Sequence, residues 1–284
     1  MSAPAVARRS LALPDRRTRI VAFLVLAVLL LIGVVVAGTV AQDAARTTHL
    51  DAVSQGPSAA HWFGTDRLGR DMLARTLVGL RLSLVVGTTA ALASAVIAVV
   101  LATVSVTVGR WAETAVNWLV DFFLALPHLV LLILLAFALG GGTQAVIIAV
   151  AITHWPTLTR VLQAQARQVV ASEYVASSRA LGTSGFALAR GHLLPHLLPH
   201  FVVGTALMFP HAILHEAALS FLGLGIDPSQ PAIGILLSDS MKVLSAGMWW
   251  LAVLPGVCLL VMVKLVDSIG ENLRSVIDPR SYHL

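Results

Sequence analysis

The residues best suited to chemistry in this 284-residue chain are histidines that recur every four positions. Histidine nitrogens are common ligands of zinc, and residues four apart lie on one face of a helix. The two series are His192, His196 and His200, and then His211 and His215 beside Glu216. Pro195 and Pro199 interrupt the first series, so we expect a helix beginning after Pro199 to separate it from the second. The pattern favours structural or pore-lining polar roles over a metal or cofactor pathway, and over catalysis.

Glu216 is the most informative ionisable residue of this set. A carboxyl group at membrane depth is costly and usually faces the interior of a helix bundle or a water-filled path. We therefore predict a pathway or gate at His211, His215 and Glu216. The order His-x-x-x-His-Glu differs from the His-Glu-x-x-His of zinc proteases, in which the glutamate lies between the two ligands.

Other catalytic and nucleotide-binding motifs are missing from the sequence. A Walker A motif requires Gly-Lys, whereas Lys242 and Lys264 follow Met241 and Val263. The single cysteine, Cys258, excludes a disulfide framework and a cysteine-based zinc site. We predict no enzyme active site, cofactor or metal in this chain. If ATP drives its function, a partner must bind ATP and Mg²⁺.

The composition indicates a membrane protein. Hydrophobic residues make up 57% of the chain and charged residues 12%, against about 25% charged residues in soluble domains. The pI near 10.3 does not indicate nucleic-acid binding, because the basic residues are scattered between apolar segments.

The apolar segments predict an all-α polytopic protein with six transmembrane helices. A spanning helix needs about 20 residues, and lipid requires that backbone hydrogen bonds close within the segment. The predicted spans are 20–40, 82–108, 116–139 with Pro127 inside, 144–158, 197–222 and 248–266. The first span exceeds the 7–15 residues usual for the apolar core of a signal peptide, which predicts an uncleaved anchor. The remaining divisions are an N-terminal tail at 1–19, an extracytoplasmic segment at 41–80, a transmembrane domain at 81–269 with a polar loop at 160–196, and a C-terminal tail at 270–284.

The basic residues predict the orientation. With the N-terminus inside, twelve basic residues fall in cytoplasmic segments and six in outer segments, which agrees with the positive-inside rule. Both termini and the 160–196 loop are therefore predicted to be cytoplasmic. The second span carries a surface of small residues that suits close helix packing, either within the chain or against a partner subunit. These residues are Gly87, Ala90, Ala91, Ala93, Ser94, Ala95, Ala98 and Ala102.

The polar loop contains a short stretch suited to docking another protein. Small residues between Glu173 and Gly182 predict a helix that a partner can approach closely, with Gly182 as its stop. The pattern Ala-Ser-Ser-Arg-Ala-Leu-Gly, nine residues and His-Leu-Leu-Pro195 resembles the loop of ABC-importer permeases. That loop reads Glu-Ala-Ala, three residues, Gly, nine residues and Ile-x-Leu-Pro. Ala176, Ser177, Ser178 and His192 depart from it, while the spacing from Gly182 to Pro195 agrees.

Further segments make the resemblance specific. The stretch Phe63–Asp71, the stretch Glu216–Gly225, and Trp250 with Pro255-Gly256 resemble the dipeptide/oligopeptide/nickel permease family, as does the ending Asp278-Pro279-Arg280. Within it the chain is similar to the C-type subunit (DppC/OppC-type). The resemblance covers residues 60–280, in family order.

The resemblance implies a type I ABC importer permease fold with a cytoplasmic coupling helix between spans 4 and 5. It further implies a B-type permease partner, ABC ATPase subunits or a fused ATPase, an extracytoplasmic substrate-binding protein and peptide import. The coupling residues would be Glu173, Tyr174, Ala176, Ser177, Ser178, Arg179, Leu181, Gly182 and Pro195. Of these, Gly182 and Pro195 would fix the loop's shape, while Tyr174, Arg179 and Leu181 would contact the ATPase.

Three alternatives to peptide import remain open. The same architecture could import nickel chelates or haem-like ligands, for which the histidines give a motive. An ion-coupled secondary transporter would leave the docking stretch unexplained, and such proteins commonly show related halves. An intramembrane metalloprotease would need the zinc-binding motif that the sequence lacks.

Overall fold

The structure, a computed structural model, describes residues 16–277 and is helical throughout its regular elements, which confirms the predicted all-α class. Residues 1–15 of the predicted N-terminal tail, and the C-terminal motif Asp278-Pro279-Arg280, lie outside the described residues. The helices are α1 (Arg16–Val40), α2 (Met72–Thr107), α3 (Arg110–Ala125), α4 (His128–Ala138), α5 (Gly142–Val170), α6 (Glu173–Ala180), α7 (Gly185–Leu188), α8 (Leu194–Phe221), α9 (Ile233–Met241) and α10 (Trp250–Ile277). A π-helical turn, Ala189–Leu193, joins α7 to α8.

Five helical segments between residues 16 and 277 are long and apolar enough to cross a membrane. A sixth span results if α3 and α4 are counted together. The number six therefore stays a prediction. Several segments exceed their predicted limits, since α2 begins at Met72, α5 continues to Val170 and α10 continues to Ile277.

The third predicted span, 116–139, is wrong as a single helix. The chain bends by 95° between α3 and α4. Leu126 and Pro127 are extended at the break, with ψ of 141° and 107°. Proline lacks an N–H for the helix ladder and disfavours helical backbone in the residue before it. Pro127 therefore ends one helix and starts another instead of kinking a single one.

The predicted separation of the two histidine series is also wrong. The chain is helical from Gly185 to Phe221, so all five histidines lie on one continuous helical segment. Pro195 lies in the first turn of α8, directly after the π-helical turn, so it lacks an N–H that this continuous segment would otherwise use. Pro199 and Pro210 lie inside the helix, which spanning helices tolerate better than soluble ones.

The small-residue surface of α2 packs inside the chain, against α5 and α8. Ala95, Ala98 and Ala102 are fully buried. At Gly87, a Cβ atom would lie 2.7 Å from Ile213 and 2.8 Å from Phe209. Of the two alternatives for this surface, packing between helices of the same chain is therefore the one observed for these residues, although Ala93 is exposed.

The segment between α1 and α2, predicted to be extracytoplasmic, is ordered by two aspartates of the Phe63–Asp71 stretch. Asp66 accepts hydrogen bonds from the backbone of Leu68 and Arg70 and pairs with the Arg70 side chain at 2.7 Å. Asp71 caps α2 by accepting from Ala74 N–H, and it lies 2.9 Å from His61. The family-like stretch thus forms a compact cap on the start of α2.

The segment after α8 folds back onto the bundle. A Cβ atom at Gly234 would lie 2.1 Å from the carbonyl oxygen of Ala217, so α9 packs directly on the α8 backbone. In the intervening loop, Ser229 N–H donates to the Asp227 carboxylate at 2.8 Å, and this hydrogen bond lowers the pKa of that carboxyl. The fold-back covers the end of α8 that carries Glu216.

Candidate functional site

The predicted docking stretch forms a helix, α6, that buries one side chain in the bundle. Within α6 only Val175 is buried, and it is fully buried. It packs in a core cluster with Val169 of α5, Leu188 of α7 and Leu197 of α8. The rest of α6 is left accessible to another protein.

A hydrogen-bonded pair fixes α6 against the segment that follows it. The Ser178 hydroxyl lies 2.8 Å from the Thr183 hydroxyl and 3.3 Å from Nε2 of His192. The His192 ring also lies 5.6 Å from the ring of Tyr174. Ser178 and His192 both depart from the family pattern, and here the two departures contact each other. The Ser178 hydroxyl therefore holds α6 against Thr183 and against the start of α8 by polar contacts.

The surface around α6 exposes large apolar side chains. Leu181 is 88% exposed and Phe186 is 79% exposed, while Tyr174 is about half exposed. Exposed apolar side chains close together often mark a protein–protein interface. Arg179, Glu173, Ala176 and Ser177 are also exposed, so most of the predicted docking residues lie at the surface. The docking surface is defined here as the exposed side of α6 together with Leu181 and Phe186.

Gly182 lies just after α6, and Pro195 lies in the first turn of α8. Gly182 has φ of +86°, a left-handed conformation that ends α6, and its N–H donates to the Arg179 carbonyl at 2.9 Å. A Cβ atom there would meet no other atom within 4 Å. Backbone conformation, not crowding inside the chain, is therefore what requires glycine at this position.

Polar side chains join α3 to the half of α5 next to α6. Arg167 contacts Glu113 at 2.7 Å, and Gln163 donates to Asn117 at 3.2 Å. Arg160 pairs with Asp121, which gives that acidic residue a partner charge. These contacts repeat at helical spacing along both helices, so they fix the register of α3 on α5.

Glu216, predicted as part of a pathway or gate, is fully buried between α2 and the end of α8. Its carboxyl group accepts hydrogen bonds from Ser83 at 2.6 Å and from Ser220 at 2.8 Å. The Ser220 hydroxyl in turn accepts from the N–H of Ile226 at 3.1 Å. This arrangement links α2, α8 and the following loop.

The predicted histidines occupy different surroundings. His211 is exposed, and its Nδ1 lies 3.3 Å from the Leu207 carbonyl. His215 is half-buried and lies beside His128 and His154, two residues outside the predicted histidine series. His128 begins α4 and His154 lies within α5, so no local spacing in the sequence relates them to His215.

Known proteins resemble the chain over most of its length. The family described as "Binding-protein-dependent transport system inner membrane component" matches residues 94–278. A protein of Brucella suis biovar 1 whose name describes a peptide permease is 37% identical over 82% of this chain and 77% of the relative. The Dipeptide transport system permease protein DppC of Bacillus subtilis (strain 168) is 34% identical over 79% of this chain and 70% of that protein. The corresponding protein of Alkalihalophilus pseudofirmus is 35% identical over 80% of this chain and 74% of its own length.

The family match and the apolar helices agree on a multi-pass membrane protein. The family is one of transport permeases and is not known for enzymes, which agrees with the absence of a Walker A motif from this sequence. The match spans more than half of the chain, and the relatives exceed 30% identity over more than two thirds of it. The chain therefore belongs to the binding-protein-dependent transport system inner membrane components, the membrane subunits of ABC importers.

Proposed function

We propose that the chain is the C-type permease subunit of an ATP-driven importer for dipeptides or oligopeptides. It pairs with a B-type permease, and each subunit forms half of the translocation pathway. The binding of peptides is proposed from the names of the relatives, which describe peptide and dipeptide permeases. An extracytoplasmic binding protein delivers the peptide, and both termini and α6 face the cytoplasm.

The observation that carries the proposal is the exposure of the docking surface. A helix that buries only Val175, next to a leucine that is 88% exposed, suits insertion into a groove on an ATPase subunit. Apolar side chains exposed to this degree gain from burial about 25 cal/mol per Å², so a partner that covers them stabilises the complex. The sequence supplies no nucleotide site of its own, so the partner supplies ATP hydrolysis.

Movement of α6 would pass into the membrane through two helices. Val175 packs on residues of α5 and α8, and the contact of Ser178 with His192 ties α6 to the start of α8. When ATP binding closes the ATPase pair, displacement of α6 therefore shifts α5 and α8 together. Both nucleotide and peptide would bias the same two-state arrangement, as coupling requires.

The test replaces Leu181 with glutamate in the assembled complex. Burying a charge at the centre of an apolar interface is costly, so Leu181→Glu should lose most co-purifying ATPase. Leu68→Glu is the matched control, because Leu68 is also an exposed leucine but lies in the outer segment. Retention of ATPase by Leu181→Glu equal to that of Leu68→Glu would contradict the proposed docking surface.

Import of nickel chelates or haem-like ligands is the second candidate function. The observation that favours it is the grouping of His128, His154 and His215. Stimulation of ATP hydrolysis separates the two candidates in a complex reconstituted with its binding protein. Stimulation by short peptides supports the first, and stimulation by nickel chelates or haem without response to peptides supports the second.

A further inference from the structure

Three histidines from three different helices meet in the bundle. They are His128 at the start of α4, His154 in α5 and His215 in α8, and they are named the histidine cluster here. Their ring centroids are 4.6, 4.9 and 5.0 Å apart. One ring nitrogen from each residue lies within 4.8 Å of the other two. Since the residues are far apart in sequence, only the packing of the helices brings them together.

His154 is oriented by the backbone of its own helix. Its Nδ1 lies 3.0 Å from the Val150 carbonyl and 3.1 Å from the Thr153 hydroxyl. A carbonyl oxygen can only accept, so Nδ1 carries the proton in this hydrogen bond. A carbonyl that holds one ring nitrogen in this way leaves the other as a lone-pair donor, the usual arrangement of a metal-ligating histidine.

The second nitrogen of His154 has no hydrogen-bond partner. Nε2 is buried, and no described residue donates to it or accepts from it. An unpartnered buried polar atom destabilises the folded chain, so an interior normally supplies a partner. The neighbouring imidazoles do not serve, since no hydrogen bond joins any two rings of the cluster in the described part of the chain. Nε2 of His154 therefore has its lone pair free to bind a metal ion.

The distances suit a transition metal after a small adjustment of the rings. With zinc–nitrogen bonds of about 2.0–2.1 Å, nitrogens in a tetrahedral site are roughly 3.3 Å apart. Ligand nitrogens within 4.8 Å reach that spacing by moving together by at most about 1.5 Å. Because the Val150 carbonyl holds the His154 ring, the half-buried rings of His128 and His215 make this adjustment by rotation about their side-chain torsions.

The neighbouring candidates do not belong to the cluster. The Glu216 carboxyl group contacts Ser83 and Ser220, and His211 contacts its own helix at Leu207. The donor set is therefore three neutral imidazole nitrogens with no carboxylate. Such a set suits zinc, nickel and copper better than calcium or magnesium, which prefer oxygen ligands.

We propose that the histidine cluster binds one divalent transition-metal ion through three imidazole nitrogens. Three protein ligands leave at least one coordination position for water or for an exchangeable ligand, unlike a closed structural zinc site. The bound ion joins the start of α4, α5 and α8 at a single point. It thereby stabilises the arrangement in which these three helices meet. This inference concerns ion binding by the chain and stands whether or not peptides are the transported substrate.

The test is titration of the purified full-length chain with Co²⁺. The visible absorption of Co²⁺ reports a four-coordinate site, here three imidazole nitrogens and one water or other ligand. The chain carries a histidine-free affinity tag and is freed of metal by a chelator beforehand. We expect saturation at one Co²⁺ per chain and displacement by Zn²⁺. Removing a hydrogen-bond partner of a metal ligand costs about 10–100-fold in metal affinity. His154→Ala removes a ligand itself, so it should weaken Co²⁺ binding by about 100-fold or more.

The matched control is His196→Ala. The ring centroids of His196 and His200 lie 6.1 Å apart on α8, so these two residues are an alternative pair of possible ligands outside the histidine cluster. We expect His196→Ala to keep the affinity of the unmodified chain. Absence of the Co²⁺ spectrum, unchanged affinity in His154→Ala, or its loss in His196→Ala would each overturn the proposal.

A second variant guards against misfolding. His128→Ala removes a ligand from a different helix, and its unfolding midpoint in chelator should match that of the metal-free unmodified chain within a few degrees. With Zn²⁺ at about 100 times the dissociation constant, the unmodified chain gains about 2.7 kcal/mol, seen as a rise in its midpoint. A Zn²⁺-induced rise of the same size in His128→Ala would contradict the assignment of that ligand.

Discussion

The variant Glu216→Ala tests how much the buried Glu216 carboxyl group contributes to the stability of the helix bundle. The carboxyl group is fully buried and accepts hydrogen bonds from Ser83 and Ser220. Ser83 is also fully buried, and Ser220 is nearly so. Truncation to alanine removes both acceptors and leaves a small cavity between α2 and α8.

The size of the effect follows from these contacts. Each buried hydroxyl that loses its acceptor costs about 1–3 kcal/mol, so two give about 2–6 kcal/mol before any cavity is counted. At about 2 °C or more per kcal/mol for a chain of this size, the midpoint of thermal unfolding should fall by about 4–12 °C. Glu216→Gln keeps one acceptor oxygen and similar volume, so its loss should be smaller.

Thermal unfolding of the purified proteins in detergent measures the difference, with Glu271→Ala as the control. Glu271 is exposed near the end of α10, so its truncation should change stability by no more than about 0.5 kcal/mol. Removing Ser83 as well should cost less than the sum of the two single changes, because the orphaned hydroxyl is removed together with its acceptor. Equal midpoints for Glu216→Ala and Glu271→Ala would refute the structural role. A large loss of transport in Glu216→Gln without loss of stability would favour the predicted role in a gate.

Two glycines give further predictions. Gly182→Val places a branched side chain at φ of +86°, so the end of α6 should change shape. In reconstituted vesicles ATP hydrolysis should continue while peptide uptake falls, and normal uptake would contradict this. Gly234→Val would bring a Cβ atom to 2.1 Å from the Ala217 carbonyl oxygen, so little monodisperse protein should elute in size-exclusion chromatography. A normal yield of Gly234→Val would show that α9 can move away from α8.

The sequence predicted those features that depend on composition and on single residues. Low charge and long apolar segments indicated a helical membrane protein, and the small residues before Gly182 predicted the helix that is observed as α6. The positive φ at Gly182 agrees with the reason given for its presence. Such features are local, because the backbone preference of one residue or the hydropathy of one segment decides them.

The sequence failed where the effect of proline depends on its surroundings. Pro127 separates α3 from α4, while Pro199 and Pro210 lie within α8. All three lack the N–H of a helix interior, and the packing of neighbouring helices decides whether the helix survives that loss. The histidine cluster escaped prediction for a related reason. Its three histidines have no regular spacing in the sequence, and they become neighbours only because α4, α5 and α8 pack together.

The unbroken helical segment from Gly185 to Phe221 has a mechanical consequence. Its 37 residues extend about 55 Å at 1.5 Å per residue, from the edge of the docking surface to the serine contacts of Glu216. Where the segment moves as one body, a tilt of about 10° moves its far end sideways by roughly 10 Å. A small tilt at the Glu216 end would therefore produce a large displacement at the end next to the docking surface. Such a movement requires one fixed point on the helix. The fully buried hydrogen bond from Ser83 of α2 to Glu216 of α8 lies where it can provide that point.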